Sequence, residues 1–196
     1  VNRAACPLLS VGVQRGVRVG ICSGNVVEWV ITQYAAAKAG TILVNINPGY
    51  RLRELEYALK QSKVSVLVTA RTFRRTDYVE LLTTLAPELN AARSGPLVAA
   101  HLPALRHVIY LGEEAAPGGT SWPEFLQRGK QVPLSDLQAL SDLLQFDDPV
   151  NIQYTSGTTG FPKGAMHAHQ MIRNVTGRGF RLAITEQDGI MMYLPV

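Results

Sequence analysis

Short apolar runs alternate with longer segments of helical spacing along the first third of the chain, and this alternation narrows the possible folds more than any other feature. Residues 17–22 read as a strand rich in β-branched side chains, bounded by Gly16 and by Ser23-Gly24. Asn25 stands where an N-cap would open a helix over residues 26–39, which Gly40 closes. That helix carries Val26, Val27, Trp29, Val30, Ile31, Tyr34 and three alanines, so it is apolar around most of its circumference. Such a helix is expected to be buried on more than one side, with Trp29 and Tyr34 in the core. Residues 42–46 form the next expected strand, Asn47-Pro48-Gly49 a turn, 52–61 a helix with Glu56 and Lys60 four apart, and 64–69 a third strand. Two successive strand–helix–strand units with short connections require a parallel sheet with right-handed crossovers. The expected class is therefore α/β, a mostly parallel sheet flanked by helices on both faces.

The pattern loosens further on. Asp77 is placed to cap a helix running to Leu85 and halted near Pro87, and residues 90–102 read as a surface excursion. Residues 107–111 suggest another strand. Ser121 and Glu124 have the spacing of a capping box, and 134–144 regain helical spacing. Residues 150–154 alternate as a strand, 167–178 are compatible with a helix, and 189–194 with a strand.

Composition excludes several classes. With 46% hydrophobic and 17% charged residues, the chain has ample apolar surface for a core and too little charge for disorder. The net charge of +4 comes from five lysines and fourteen arginines that are scattered, with no aromatic side chains interleaved among them, so no nucleic-acid site is expected. Cys6 and Cys22 form no CxxC pair and have no histidine at metal-ligand spacing, as in a reducing compartment, and Cys22 is expected to be buried. The longest apolar stretch, 26–46, is interrupted by Glu28, Gln33, Lys38 and Gly40, so no membrane span is expected.

The densest chemical signal is Thr155-Ser156-Gly157-Thr158-Thr159-Gly160-Phe161-Pro162-Lys163. Glycines let a backbone turn with positive φ and approach a ligand closely, so that successive amides converge on an anion. Thr155, Ser156, Thr158 and Thr159 add hydroxyl donors, Lys163 adds a mobile positive charge, and Pro162 limits the conformations available. A strand, this loop and then a helix would make a phosphate cradle. The pattern is not a Walker A loop, because Lys163 follows proline and precedes Gly164. A kinase-like reading would need a metal-binding aspartate, for which Asp188 is the one nearby candidate. His167, His169, Arg173 and Arg178 follow closely and read as polar helix residues rather than as catalytic groups.

From Tyr154 through Gly164 the string resembles the signature loop of the adenylate-forming superfamily, which holds acyl-CoA synthetases, luciferases and the adenylation domains of peptide synthetases. Further segments resemble its fatty-acyl-CoA synthetase branch, of the medium-chain ligase type: residues 12–20, Asn25-x-x-Glu28-Trp29, the Ala35 to Gly40 run, Asn45-Ile46-Asn47-Pro48, and Glu54 to Leu59. Val17 departs from the aspartate usual after that glycine. The resemblance implies a two-step reaction. A carboxylate, here expected to be a fatty acid, attacks the α-phosphate of ATP to give an acyl-adenylate and pyrophosphate, and coenzyme A then displaces AMP. ATP, Mg²⁺ and coenzyme A are the implied cofactors and co-substrates. The loop residues Thr155 to Lys163 would bind the β- and γ-phosphates, with Lys163 and Thr158 stabilising the departing pyrophosphate. No general base and no protein-held metal site are implied. Residues 1–196 are expected to be part of an AMP-binding domain, with the adenine and ribose motifs and a C-terminal catalytic lysine lying downstream. The alternative is a non-catalytic module that only binds nucleotide or a partner. The expected compartment is the cytoplasm, or the mitochondrial matrix in a eukaryote. Neither the acid's chain length nor the oligomeric state is readable.

Overall fold

The computed structural model describes residues 1–91, 95–155, 162–181, 183 and 185–189. Its main sheet has seven strands: β1 (Arg18–Cys22), β2 (Ile42–Asn45), β3 (Val64–Thr69), β6 (His107–Tyr110), β7 (Thr120–Ser121), β8 (Pro149–Thr155) and β9 (Lys163–Ala168). They lie in the order β7-β6-β3-β1-β2-β8-β9. Every neighbouring pair is parallel except the last, β8 with β9. A separate two-stranded ribbon, β4 (Thr72–Phe73) and β5 (Thr76–Asp77), lies outside it. The α/β expectation holds.

Period-two alternation divides the sheet's side chains between two helical layers. Val19, Ile21, Leu43, Val66, Val68 and Ile109 face α1 (Asn2–Ser10), α2 (Val27–Lys38), α5 (Trp122–Arg128) and α6 (Leu134–Ser141). Val44, Leu67, Val108 and Tyr110 face α3 (Leu52–Gln61) and α4 (Tyr78–Leu85). Val64 faces the α3 layer and Val66 the other. Two residues apart on a regular strand they would share a face. The register explains the switch, because Arg18 pairs with Val64 and the next residue, Val19, with Val66, leaving Ser65 as an extra residue. The Ser65 carbonyl instead accepts the Arg106 amide at 2.8 Å.

Several local expectations are met closely. Both α3 and β3 have the expected bounds. Asp77 caps α4 by accepting from the Val79 and Glu80 amides at 2.8 and 3.1 Å. Of the expected capping box only the serine half forms: Ser121 accepts from the Glu124 amide at 3.4 Å, while the Glu124 carboxylate pairs with Arg128 at 2.8 Å. Gly40, at φ +66, ends the α2 segment, as a left-handed position requires.

Others are corrected. Helix α2 is covered on one side only: Trp29, Thr32, Ala35 and Ala36 are buried, whereas Val27, Val30 and Tyr34 are 71%, 47% and 51% exposed. Val26 stands at its N-cap position and makes no side-chain capping bond. Helix α1 was not legible, yet its Ala4, Ala5, Cys6 and Leu8 are buried against α2, α5 and α6. In the expected excursion, Leu97, Ala99 and Leu102 fold back into the α3–α4 core. Both cysteines are buried and unbridged, and burial pushes the Cys22 thiol up to about 12. Among the described residues no helix is long and apolar enough to cross a membrane.

Candidate functional site

Strand β8 runs parallel to β2, so its last residue, Thr155, lies at the carboxyl edge of the sheet with the ends of β1, β2 and β3. The expected cradle of strand, loop and helix is corrected here. The chain returns as β9, antiparallel to β8, before α7 (Gln170–Arg181) begins. Residues 163–168 lack the β-branched side chains that announce a strand, and they become one because β8 offers an open edge. His167 accordingly lies in β9 and His169 in the turn before α7, not in a helix.

The hairpin closes on the pair Thr155 and Lys163. Paired residues of an antiparallel ladder stand about 5 Å apart, so both ends of the intervening segment are held together at the carboxyl edge. The Thr155 hydroxyl donates to the Lys163 carbonyl at 3.4 Å, so in this structure that donor closes the hairpin. Lys163 is exposed and joins no ion pair among the described residues. Pro162 is half-buried beside it. Ser156, Gly157, Thr158, Thr159, Gly160 and Phe161 lie outside the described residues, as does the strand expected over 189–194 beyond Gly189.

Two tyrosines brace this edge. The Tyr154 hydroxyl donates to Gln61 Oε1 at 3.0 Å, with the Ala58 carbonyl also near at 3.3 Å, tying the residue before the loop to the last turn of α3. Partial burial raises its phenol above the ordinary value. Across the hairpin Tyr154 pairs with Gly164, where an added Cβ would lie 3.1 Å from Ile152 and 3.6 Å from the Tyr154 ring. A Cβ there would crowd Ile152 and meet the tyrosine ring at ordinary contact distance. Tyr78, buried, donates to the Pro48 carbonyl, and burial raises its phenol strongly. That bond fixes the turn after β2, in which Asn47 Oδ1 accepts from the Gly49 amide at 2.8 Å. Continuing the β2–β8 register from Asn45 and Gln153 brings Asn47 level with Thr155, so this turn flanks the loop's base. The sequence marked 47–49 only as a turn.

Sequence reasoning also missed Asn45 and Asn151. They are 8% and 3% exposed, on adjacent strands, and the register of Leu43 with Asn151 and of Asn45 with Gln153 puts both on one sheet face. Among the described residues, the amide group of Asn45 and Oδ1 of Asn151 have no hydrogen-bond partner. Orphaned buried amides are rare and mark a place where water or another polar group belongs. On the same face β9 places His167 opposite Asn151, and it is exposed. His169 is half-buried, and its amide donates to the Asp148 carbonyl at 3.2 Å. Hydrogen bonds from the Gln145 amide and then Arg15 hold the Asp148 carboxyl below its ordinary range. Arg173 is exposed on α7. Asp188 accepts from the Thr185 amide and hydroxyl at 2.6 and 2.9 Å in a turn, a local capping role.

The edge therefore offers a hairpin tip whose ends are clamped, an uncommitted ammonium at its base, and a braced turn beside it. These fit a phosphate chain, for which Lys163 supplies opposite charge. Among the described residues no three His, Cys, Asp or Glu side chains come together as a metal-holding group.

Comparison with known proteins bears on what such an edge serves. A family model described as AMP-binding enzyme matches residues 1–196. The medium-chain acyl-CoA ligase ACSF2, mitochondrial, of Danio rerio is 38% identical over 197 residues, covering 100% of this chain and 32% of the relative. The protein of that name from Bos taurus is 40% identical over 199 residues, again covering 100% and 32%. The chain thus spans about a third of the length of these curated relatives. Among solved structures, the anthranilate CoA ligase AuaEII in complex with anthranoyl-AMP aligns with a TM-score of 0.62 at 28% identity, over 86% of this chain and 28% of that one. ATP-bound MatB from Rhodopseudomonas palustris aligns with a TM-score of 0.69 at 24% identity, over 99% and 33%, and bears on the fold alone.

Proposed function

The chain belongs to the AMP-binding enzyme family along its whole length, and from that premise we propose that it carries the phosphate-binding side of an ATP-dependent acyl-CoA ligase. In the whole protein a carboxylic acid, of the fatty class, is converted to an acyl-adenylate with release of pyrophosphate, and then to the coenzyme A thioester with release of AMP. The hairpin clamped at Thr155 and Lys163 carries this reading. Both ends of the glycine- and hydroxyl-bearing segment are held at the carboxyl edge, where ligands of open α/β sheets bind.

Each residue then has a role. Lys163 lies against the β- and γ-phosphates and takes up the charge that grows on pyrophosphate as it leaves. Thr158 and the hydroxyls of Ser156 and Thr159 donate to the same oxygens. Gly157 and Gly160 let the backbone close on the phosphates and reopen after turnover. Thr155 and Pro162 hold the ends of the loop, and Phe161 lies next to Pro162 within it. The attacking carboxylate needs no base. Mg²⁺, when bound with ATP, neutralises phosphate charge. Adenine, ribose and coenzyme A contacts belong to other parts of the whole protein, so these 196 residues alone do not complete the reaction. The compartment is the cytoplasm, or the mitochondrial matrix in a eukaryote, and the relatives named as mitochondrial support the second.

The test uses the full-length protein, with pyrophosphate release and thioester formation followed across a series of fatty acids. Lys163→Ala should slow adenylation by about 10²–10³-fold, the usual cost of losing one preorganised group at a developing charge. Gly160→Ala should slow the same step. Adenylation rates unchanged in both variants would remove the role given to the loop.

A further inference from the structure

The parallel ladder that carries β8 stops short of the loop. Strand β2 pairs with Asn151, Ile152 and Gln153, the last of them opposite Asn45. Beyond that point, among the described residues, Tyr154 and Thr155 pair with Gly164 and Lys163 of β9 alone. Strand β9 is the outer strand of the sheet and is exposed along most of its length, so its own hydrogen bonds open easily. The two residues that lead into the loop therefore have weak support from the sheet itself.

A second support reaches them from the helical layer. The Tyr154 hydroxyl donates to Gln61 Oε1 at 3.0 Å, with the Ala58 carbonyl at 3.3 Å. Both acceptors belong to the last turn of α3. That helix is a firm anchor. Its Leu55, Ala58 and Leu59 are buried, and at its start the Arg51 amide donates to Glu54 Oε2 at 3.1 Å. Tyr154 is the one residue between the end of the β2 ladder and Thr155, and its phenol ties that residue to the buried helix.

We propose that Tyr154 and Gln61 are a positioning pair for the loop, the bond to α3 fixing the backbone at Thr155 and so the fraction of molecules whose loop is arranged to take ATP. The proposal deepens the phosphate-binding reading given above and rests on it. A site arranged in only part of the population binds with a dissociation constant divided by that fraction. Saturating ATP restores the arranged form, so turnover is unchanged once ATP is bound. The signature is a raised KM for ATP at constant kcat. A bond that only stabilised the fold would act differently: its loss would reduce the amount of active protein, lowering kcat and leaving KM alone.

Steady-state kinetics of the full-length protein, with ATP, fatty acid and coenzyme A each varied, test the pair. Tyr154→Phe, which keeps the ring, should raise the KM for ATP about fivefold, the factor that one neutral hydrogen bond carries. Its kcat and its KM values for the acid and coenzyme A should stay within about twofold. Gln61→Leu should raise the KM for ATP less, about twofold, because the Ala58 carbonyl still accepts. The double variant should go no further than Tyr154→Phe alone, since both changes remove one tie. Gln61→Glu, which keeps an oxygen acceptor, should retain the parent value. Lys163→Ala, measured alongside, reports on the loop itself. Slow adenylation in Lys163→Ala beside an unaltered KM for ATP in Tyr154→Phe would overturn the pair and leave the loop's role standing. Both variants unaltered would remove both. A lowered kcat at unchanged KM in Tyr154→Phe, or effects that multiply in the double variant, would also overturn the pair.

Discussion

The centre and one edge of the same sheet live under different physical regimes. Strands β1 and β3 are covered on both faces, and Val19, Ile21, Val66 and Val68 are 0% exposed. Strand β9 is exposed along most of its length, with Met166 62% exposed. The covered strands supply stability through area removed from water. The uncovered hairpin supplies position: it holds Thr155 and Lys163 side by side at the carboxyl edge. Stability and access are thus assigned to different strands of a single sheet, and few residues serve both.

The sharpest way to break this contrast is amide hydrogen exchange. The amides of Ile21 and Val68 should exchange only on global opening, while those of β9 should exchange through local fraying, orders of magnitude faster. Equal protection would mean that the hairpin belongs to the same cooperative unit. Next in size is truncation. Leu67→Ala, at a side chain 1% exposed, should cost about 2–5 kcal/mol in denaturant unfolding, whereas Met166→Ala should change stability by no more than about 0.5 kcal/mol. A similar cost at both sites would erase the distinction.

Tyr154 sharpens it from the other side, because it ties the exposed hairpin to α3. Tyr154→Phe removes the bond to Gln61 and should cost about 1 kcal/mol, together with faster exchange of the β8 and β9 amides. Exchange that is unaltered would show that the tie is not what holds the hairpin. The smallest effect is at His107, at the start of β6. Burial is the main cause lowering its pKa below 6.5, with Arg128 and Arg106 adding to it. Its folded value lies below its unfolded one, so its contribution is full above the unfolded value and declines as pH falls through that value towards the folded one. Urea midpoints at pH 7.5 and 5.5 should therefore converge in His107→Gln relative to the unaltered chain.

Legibility in the sequence followed the same division. In the covered block each strand and helix announces itself by its own periodicity, which is why α3 and β3 fall where their residues predict. Apolarity alone does not say which side of an element will be covered, so Tyr34 reads as core and is half exposed. Strand β9 depends on pairing with β8 and carries little propensity of its own. Helix α1 contributes small buried residues whose partners are remote in sequence. The loop was recognisable because an ordered run of glycine, hydroxyl residues, proline and lysine is rare. Its neighbours at the edge, Asn45, Asn151 and the turn fixed by Tyr78, were not, since orphaned amides and a bond from residue 78 to residue 48 exist only in three dimensions.

The last strand of the sheet has one further consequence. Among the described residues nothing extends the sheet beyond β9, which leaves a ladder of donors and acceptors along its outer rim with no partner strand. Gly164, Ala165 and Ala168 add little bulk to ward off a newcomer. Such a rim is a template on which a second chain can add itself as the next strand, and a 196-residue chain handled by itself should be most prone to clump along this seam. Its colloidal behaviour in the test tube is then governed by six residues at one border of the sheet, however firmly the interior is packed.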